Sequence, residues 1–119
     1  MQTEKPTIVL VDDSGAMRDF FVQGAKEADF RLLAYGCADE SLDFLEHDRS
    51  QLLFLNVMML NKDGYTFLKE LRSVERHTET KIVMISSKDY AQDRVVAKEL
   101  GVLEFVAKPV SKKILTHDD

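Results

Sequence analysis

Short apolar runs alternate along this chain with segments whose apolar residues recur every three or four positions. The runs are Thr7–Val11, Arg31–Tyr35, Leu52–Leu55, Lys81–Ile85 and Leu103–Ala107, each of strand length. The helix-period segments are Ala16–Ala28, Asp39–His47, Tyr65–His77, Tyr90–Leu100 and a short fifth from Ser111. Five such β–α units predict an α/β domain with a parallel sheet covered on both faces. The first, third and fourth runs are continuously apolar, as central strands buried on both sides require.

The helical segments carry the stripe and the punctuation that such packing needs. In the third, Phe67, Leu68 and Leu71 share a face while Lys69, Glu70, Arg72 and Glu75 are expected in water. In the fourth, Val95, Val96 and Leu100 are expected to face the sheet, with Asp93, Arg94, Lys98 and Glu99 outside. Gly101 is a helix stop, and Asp63-Gly64 is a turn signal before the third helix. Ser111 can cap the fifth helix, but only Ile114 and Leu115 remain to anchor it. Two turns cover little of a sheet face. Either the natural chain continues past Asp119, or this edge is left for a partner. With 119 residues and no repeat or linker, residues 1–119 read as one domain.

Composition narrows the classes. A net charge of −5 argues against a general nucleic-acid or membrane surface. The single cysteine, Cys37, cannot pair internally and fits a reducing compartment. No apolar stretch approaches the roughly 18 residues needed to span a bilayer. The first residues lack the apolar core of a signal peptide, so the cytoplasm is the expected location.

The chemistry gathers where the apolar runs end. Asp12-Asp13 follows the first run, Asn56 the third, Ser86 the fourth, and Lys108 the fifth. In an open parallel sheet, ligands bind beyond the carboxyl ends of the strands. Each residue has a bland role when taken alone: capping for the aspartates, a small strand end for Ser86, an ion pair for Lys108. Their convergence outweighs those readings. Two carboxylates with nearby carbonyls suit Mg²⁺, a hard ion that prefers oxygen. Every neighbour of Asn56 asks for an aspartate there.

With Val11-Asp12-Asp13-Ser14, Leu55-Asn56-Val57-Met58-Met59, Lys62-Asp63-Gly64, Met84-Ile85-Ser86-Ser87-Lys88 and Phe105-Val106-Ala107-Lys108-Pro109 in this order, the chain resembles the receiver domain of bacterial two-component response regulators. The resemblance covers nearly its full length. It implies a doubly wound, flavodoxin-like sheet of order 2-1-3-4-5. It implies that position 56 accepts a phosphoryl group from a phosphohistidine on a histidine kinase or phosphotransfer protein. It implies that Asp13 binds Mg²⁺ directly and Asp12 through water, with Asn56 and the Met58 carbonyl completing the protein ligands. Ser86 and Lys108 would then hold the phosphoryl oxygens. Phe105 has two readings of equal weight, an aromatic switch and ordinary core packing. The resemblance also implies a linked output domain or effector, and a docking or homodimer face made by the fourth helix, fifth strand and fifth helix. Leu60 departs from the family's usual proline, so the loop after the third strand is not carried over in detail.

The amide changes the chemistry. Aspartyl phosphate forms by attack of a carboxylate oxygen on phosphorus, and an amide offers no comparable nucleophile. As written, the chain reads as a receiver that cannot be phosphorylated and works as a signalling and protein-interaction module, not as an enzyme. The alternative is an ordinary phosphoaccepting regulator whose aspartate was replaced by asparagine. A flavin-binding domain of the same architecture is a third class. It lacks support here, because no Ser/Thr/Gly-rich loop follows the first strand, and Asp12-Asp13 would repel a flavin phosphate.

Overall fold

The computed structural model describes residues 5–48, 50–59, 62–88, 91–108 and 110. In chain order they form β1 (Thr7–Val11), α1 (Gly15–Ala28), β2 (Arg31–Tyr35), α2 (Ala38–Leu45), β3 (Leu52–Asn56), α3 (Gly64–Arg72), a 3₁₀ turn (Glu75–His77), β4 (Ile82–Ser86), α4 (Ala91–Glu99) and β5 (Glu104–Ala107). All strand pairs are parallel, in the order β2-β1-β3-β4-β5. The fold expected from the sequence is therefore the fold observed. The fifth helix from Ser111 and the Tyr90 start of the fourth fall outside the described residues. Among the described residues, no helix is long and apolar enough to cross a membrane.

The period-two alternation of strands splits the core into two layers. Val9, Val11, Leu53, Leu55, Ile82 and Met84 pack with residues of α2, α3 and α4, including Leu45, Phe67, Leu68 and Ala97. Ile8, Leu10, Phe54, Val83 and Ile85 face the other way, onto Phe21 of α1 and Phe30. The Phe21 and Phe54 rings meet edge to face at 4.9 Å. Burying each such ring contributes about 2–3 kcal/mol. The central strands are closed to solvent, while β2 and β5 at the edges are partly exposed.

Helix ends obey local chemistry. Ser14 Oγ accepts the Met17 N–H, and Asp63 Oδ1 accepts the Thr66 N–H, so α1 and α3 each start on a side-chain cap. Gly101 takes φ 75° after α4. Its N–H reaches the Lys98 carbonyl while Val102 N–H reaches Ala97, a Schellman ending.

Three expectations need correction. The third helix does not run to His77 but stops at Arg72, and Val74 is extended before the 3₁₀ turn. In an unbroken helix His77 would lie roughly 240° around from buried Leu71, on the solvent side. The break turns it inward, to 1% exposure. The second helix ends at Leu45, two residues short of His47. On α4 the buried face centres on Ala97, with Val96 and Leu100 half-buried beside it. Val95 sits about 200° from Ala97 and is 56% exposed, so it does not face the sheet.

Candidate functional site

The carboxyl ends of the strands bring most of the singled-out residues to one pole. Asn56 and Ser86 are the last residues of β3 and β4, and Asp12 and Lys108 directly follow β1 and β5. Asp12 continues the β1–β2 ladder through its N–H to Tyr35 O, and its carboxylate is completely buried. Oδ1 accepts the Ser14 N–H at 2.9 Å. Oδ2 lies 3.3 Å from Lys108 Nζ, a charge pair without an aligned hydrogen bond. Lys108 N–H donates to Ser86 O at 2.7 Å, which fixes the lysine beside the end of β4. Arg18, one turn into α1, donates to the Asp12 carbonyl at 2.8 Å. Asp13 is exposed at the rim.

Asn56 is buried, and its Nδ2 donates to the Met58 carbonyl at 2.8 Å. A carbonyl only accepts, so the amide must turn its NH₂ end this way. The backbone supports that turn on both sides. Val57 N–H reaches Ile85 O at 2.8 Å, and Gly64 N–H reaches Val57 O at 2.7 Å. A Cβ at Gly64 would overlap the Asn56 carbonyl oxygen and stand 3.0 Å from Val57 Cα. Only glycine lets α3 begin this close to β3.

Other members point elsewhere. Ser86 is buried, and its Oγ accepts the Lys88 N–H at 3.1 Å within its own loop. Phe105 is half-buried against the α2–α4 side of the core, with the Arg94 guanidinium 4.9 Å from its ring centre. That contact is a cation–π arrangement. The Met58 side chain is 56% exposed beside the pole. Leu60 lies outside the described residues.

The oxygen donors suit a hard divalent ion in kind. Asp12 offers a buried carboxylate oxygen that no hydrogen bond satisfies. Asp13, Asn56 and the Met58 carbonyl add further oxygens. Two of these positions are already engaged, however: an ammonium stands by Asp12 and an amide closes on Met58. Among the described residues, no three His, Cys, Asp or Glu side chains form a metal-holding group. The fit is that of a weak site resting on two carboxylates.

Some polar contacts here were not foreseen from the sequence. Tyr65 Oη donates to the Asp93 carbonyl at 2.9 Å, tying α3 to the first turn of α4. Burial, then the Asp93 and Asp63 carboxylates, push its phenol up to about 12. Lys62 Nζ bonds Glu70 Oε1 at 2.8 Å, which raises its ammonium above the ordinary lysine value. No periodic pattern marks these contacts.

The model of the response regulator receiver domain matches residues 8–118. Response regulator Rre1 of Synechocystis sp. is 32% identical over 108 residues, covering 89% of this chain and 46% of the relative. The chain thus spans about half the length of such curated relatives. Chemotaxis protein CheY4 of Vibrio cholerae superposes with a TM-score of 0.87 at 20% identity, over 95% of this chain and 94% of that one. The Mn(2+)-bound form of response regulator Rcp1 gives 0.82 at 21% identity, over 94% and 90%.

Proposed function

The chain belongs to the response regulator receiver domain family, and from that premise we propose that it is a receiver that signals by binding, without accepting a phosphoryl group at Asn56. Receiver domains pair with histidine kinases and are not enzymes in the ordinary sense. Here Asn56 holds the phosphoacceptor position. The observation that carries the reading is its amide donating to the Met58 carbonyl. The group expected to attack phosphorus is instead a neutral donor, closed onto the loop that follows it.

The remaining residues keep their family roles in this reading. Asp12 and Asp13 would hold Mg²⁺, with Asn56 and the Met58 carbonyl contributing neutral oxygens once the amide lets go. A bound ion would supply positive charge to the pole. With one carboxylate fewer, that binding is weak. Ser86 and Lys108 would receive a phosphoryl group in an aspartate form, and Phe105 would respond to Ser86. The protein works in the cytoplasm, facing a histidine kinase or phosphotransfer protein. Because the chain covers 46% of Rre1, an output domain after this one completes the proposal. The α4–β5 side, with exposed Val95 and Leu103, would dock that domain, an effector or a second copy.

The intact Asp12–Lys108 pair favours a second reading, an ordinary phosphoacceptor in its aspartate form. Both are tested by incubation with acetyl phosphate and Mg²⁺ followed by intact-mass measurement. The chain as written should gain no phosphate, and a labile adduct mapped to Asn56 would overturn the first reading. Phosphorylation of Asn56→Asp would establish the second reading for that form. Continued inertness would leave binding as the whole function.

A further inference from the structure

Beside the pole, but apart from the Asp12–Lys108 pair, a groove of about 530 Å³ opens between the loop after β3, α3 and the start of α4. Its apolar lining comes from Val57, Met58, Met59 and Tyr65. Among the described residues, Asp13, Asp63 and Asp93 also line it, against one cation, Lys69. We propose that this groove docks a short segment of a partner protein in which an apolar side chain stands next to a lysine or arginine.

The size, lining and charge each contribute. The volume is enough to seat a side chain or two, and the apolar residues among its lining set it apart from depressions of similar size lined by Glu46, Val74, Glu75 and Arg76 or by Asp48, Ser50, Gln51, Glu79, Thr80 and Lys81. Met58 is a large apolar side chain more than half exposed at its edge. Methionine adapts to varied apolar partners, which suits a peptide better than a rigid ligand. Three carboxylates against one ammonium repel acidic or phosphorylated segments and attract basic ones. Asp63 spends its carboxylate on neutral donors, the Thr66 N–H and hydroxyl, and so keeps its charge. A second copy of this chain is a poor occupant, since it carries the same net −5 and an identical acidic groove.

The occupant would touch two elements at once. Met58 lies on the loop closed by Asn56, and Asp93 lies in the first turn of α4, already held by Tyr65 Oη. A bound segment therefore gives this receiver an input that needs no phosphoryl transfer. The proposal goes beyond the reading of Asn56 and stands or falls independently of it.

The test uses three fluorescein-labelled hexapeptides that alternate leucine with arginine, leucine with glutamate, and serine with arginine. The leucine–arginine peptide should bind at least about tenfold more tightly than either other. Its amide shift changes should centre on Val57, Met58, Tyr65 and Thr66. Asp93→Lys reverses a half-buried lining charge and Met58→Ser removes an exposed apolar side chain, and each should weaken binding about tenfold, with amide shifts away from the groove unchanged. Asp19→Lys on the exposed side of α1 should leave it unaltered. Equal binding of the glutamate peptide overturns the proposal, as do wild-type affinity in both groove variants and shifts centred on the α4–β5 side. So does a concentration-dependent dimer, abolished by Met58→Ser, in sedimentation without peptide.

Discussion

At the carboxyl ends of the strands, a fully buried carboxylate oxygen, Asp12 Oδ2, has a charge neighbour but no aligned donor. At the opposite pole, two side chains do the reverse and saturate carbonyls. Arg72 donates to Leu100 O, His77 O and Thr80 O, each at 2.8 Å, and to Gly101 O at 3.0 Å. His77 sets Nε2 on Leu45 O at 2.7 Å and accepts the Thr80 hydroxyl at Nδ1, 2.8 Å away. The direction at Nε2 follows because a carbonyl only accepts, and a neutral ring that donates there accepts at Nδ1. Among the described residues, the buried group without a partner at that pole, Ser50 Oγ, is a neutral hydroxyl. An unsatisfied buried charge is far more costly than an unsatisfied hydroxyl. The difference separates a pole whose side chains saturate the backbone from one that keeps a buried carboxylate oxygen without an aligned donor.

The largest expected effect therefore lies far from the site. Arg72→Ala leaves four carbonyls without their donor and should cost about 3 kcal/mol in urea unfolding. Arg72→Lys should recover only a minor part, since a point charge cannot fork to several carbonyls at once. Amide shifts around Asp12 and Asn56 should stay in place in both variants. A loss below about 0.5 kcal/mol, the level of an ordinary surface change, would erase the distinction between the poles.

What was legible in the sequence follows the same division. The strand order's central members, and the placing of Asp12, Asn56, Ser86 and Lys108 at strand ends, show in apolar runs that stop on polar residues. Arg72 and His77 left no such trace. Arg72 reaches Leu100 across 28 residues and His77 reaches Leu45 across 32, each at the end of another helix, and their nearer partners lie in a turn that no apolar period marks. A local pattern shows Arg72 only as one more charge on a helix. The Val95 error has a local cause. Two adjacent valines allow two phases of the helix, and buried Ala97, with its small side chain, decides between them. At the site, the identity of Asn56 was plain but its action was not. It reads as a passive ligand in the sequence and acts as a donor in the fold.

The middle-sized effect falls on that donor. Asn56→Asp removes the bond to the Met58 carbonyl and sets a new carboxylate against that oxygen and near Asp12. It should cost about 1–2 kcal/mol in metal-free denaturant titrations, after relaxation reduces the raw repulsion. Added Mg²⁺ should then stabilise the aspartate form more than the asparagine form, because binding to the folded state alone adds stability by mass action. Identical metal responses would mean that the pole's charge balance does not depend on position 56.

The smallest effect tests how α3 holds α4 at its two ends. Arg72 grips the far end through two carbonyls, Leu100 and Gly101, and Tyr65 grips the near end through one, Asp93. Tyr65→Phe should cost about 1 kcal/mol at pH 8, well under the arginine loss. Its pH dependence identifies the bond. The folded phenol titrates at about 12 against an ordinary value of 10.0, so above pH 10 the unfolded chain gives up a proton that the folded protein retains. The contribution is complete below pH 10 and disappears as pH rises through 12. The stability gap between wild type and Tyr65→Phe should therefore narrow across that window. A gap that stays constant would mean that ring packing, not the hydroxyl, holds α4 at the site's edge, leaving the functional pole without the polar strap that its opposite has.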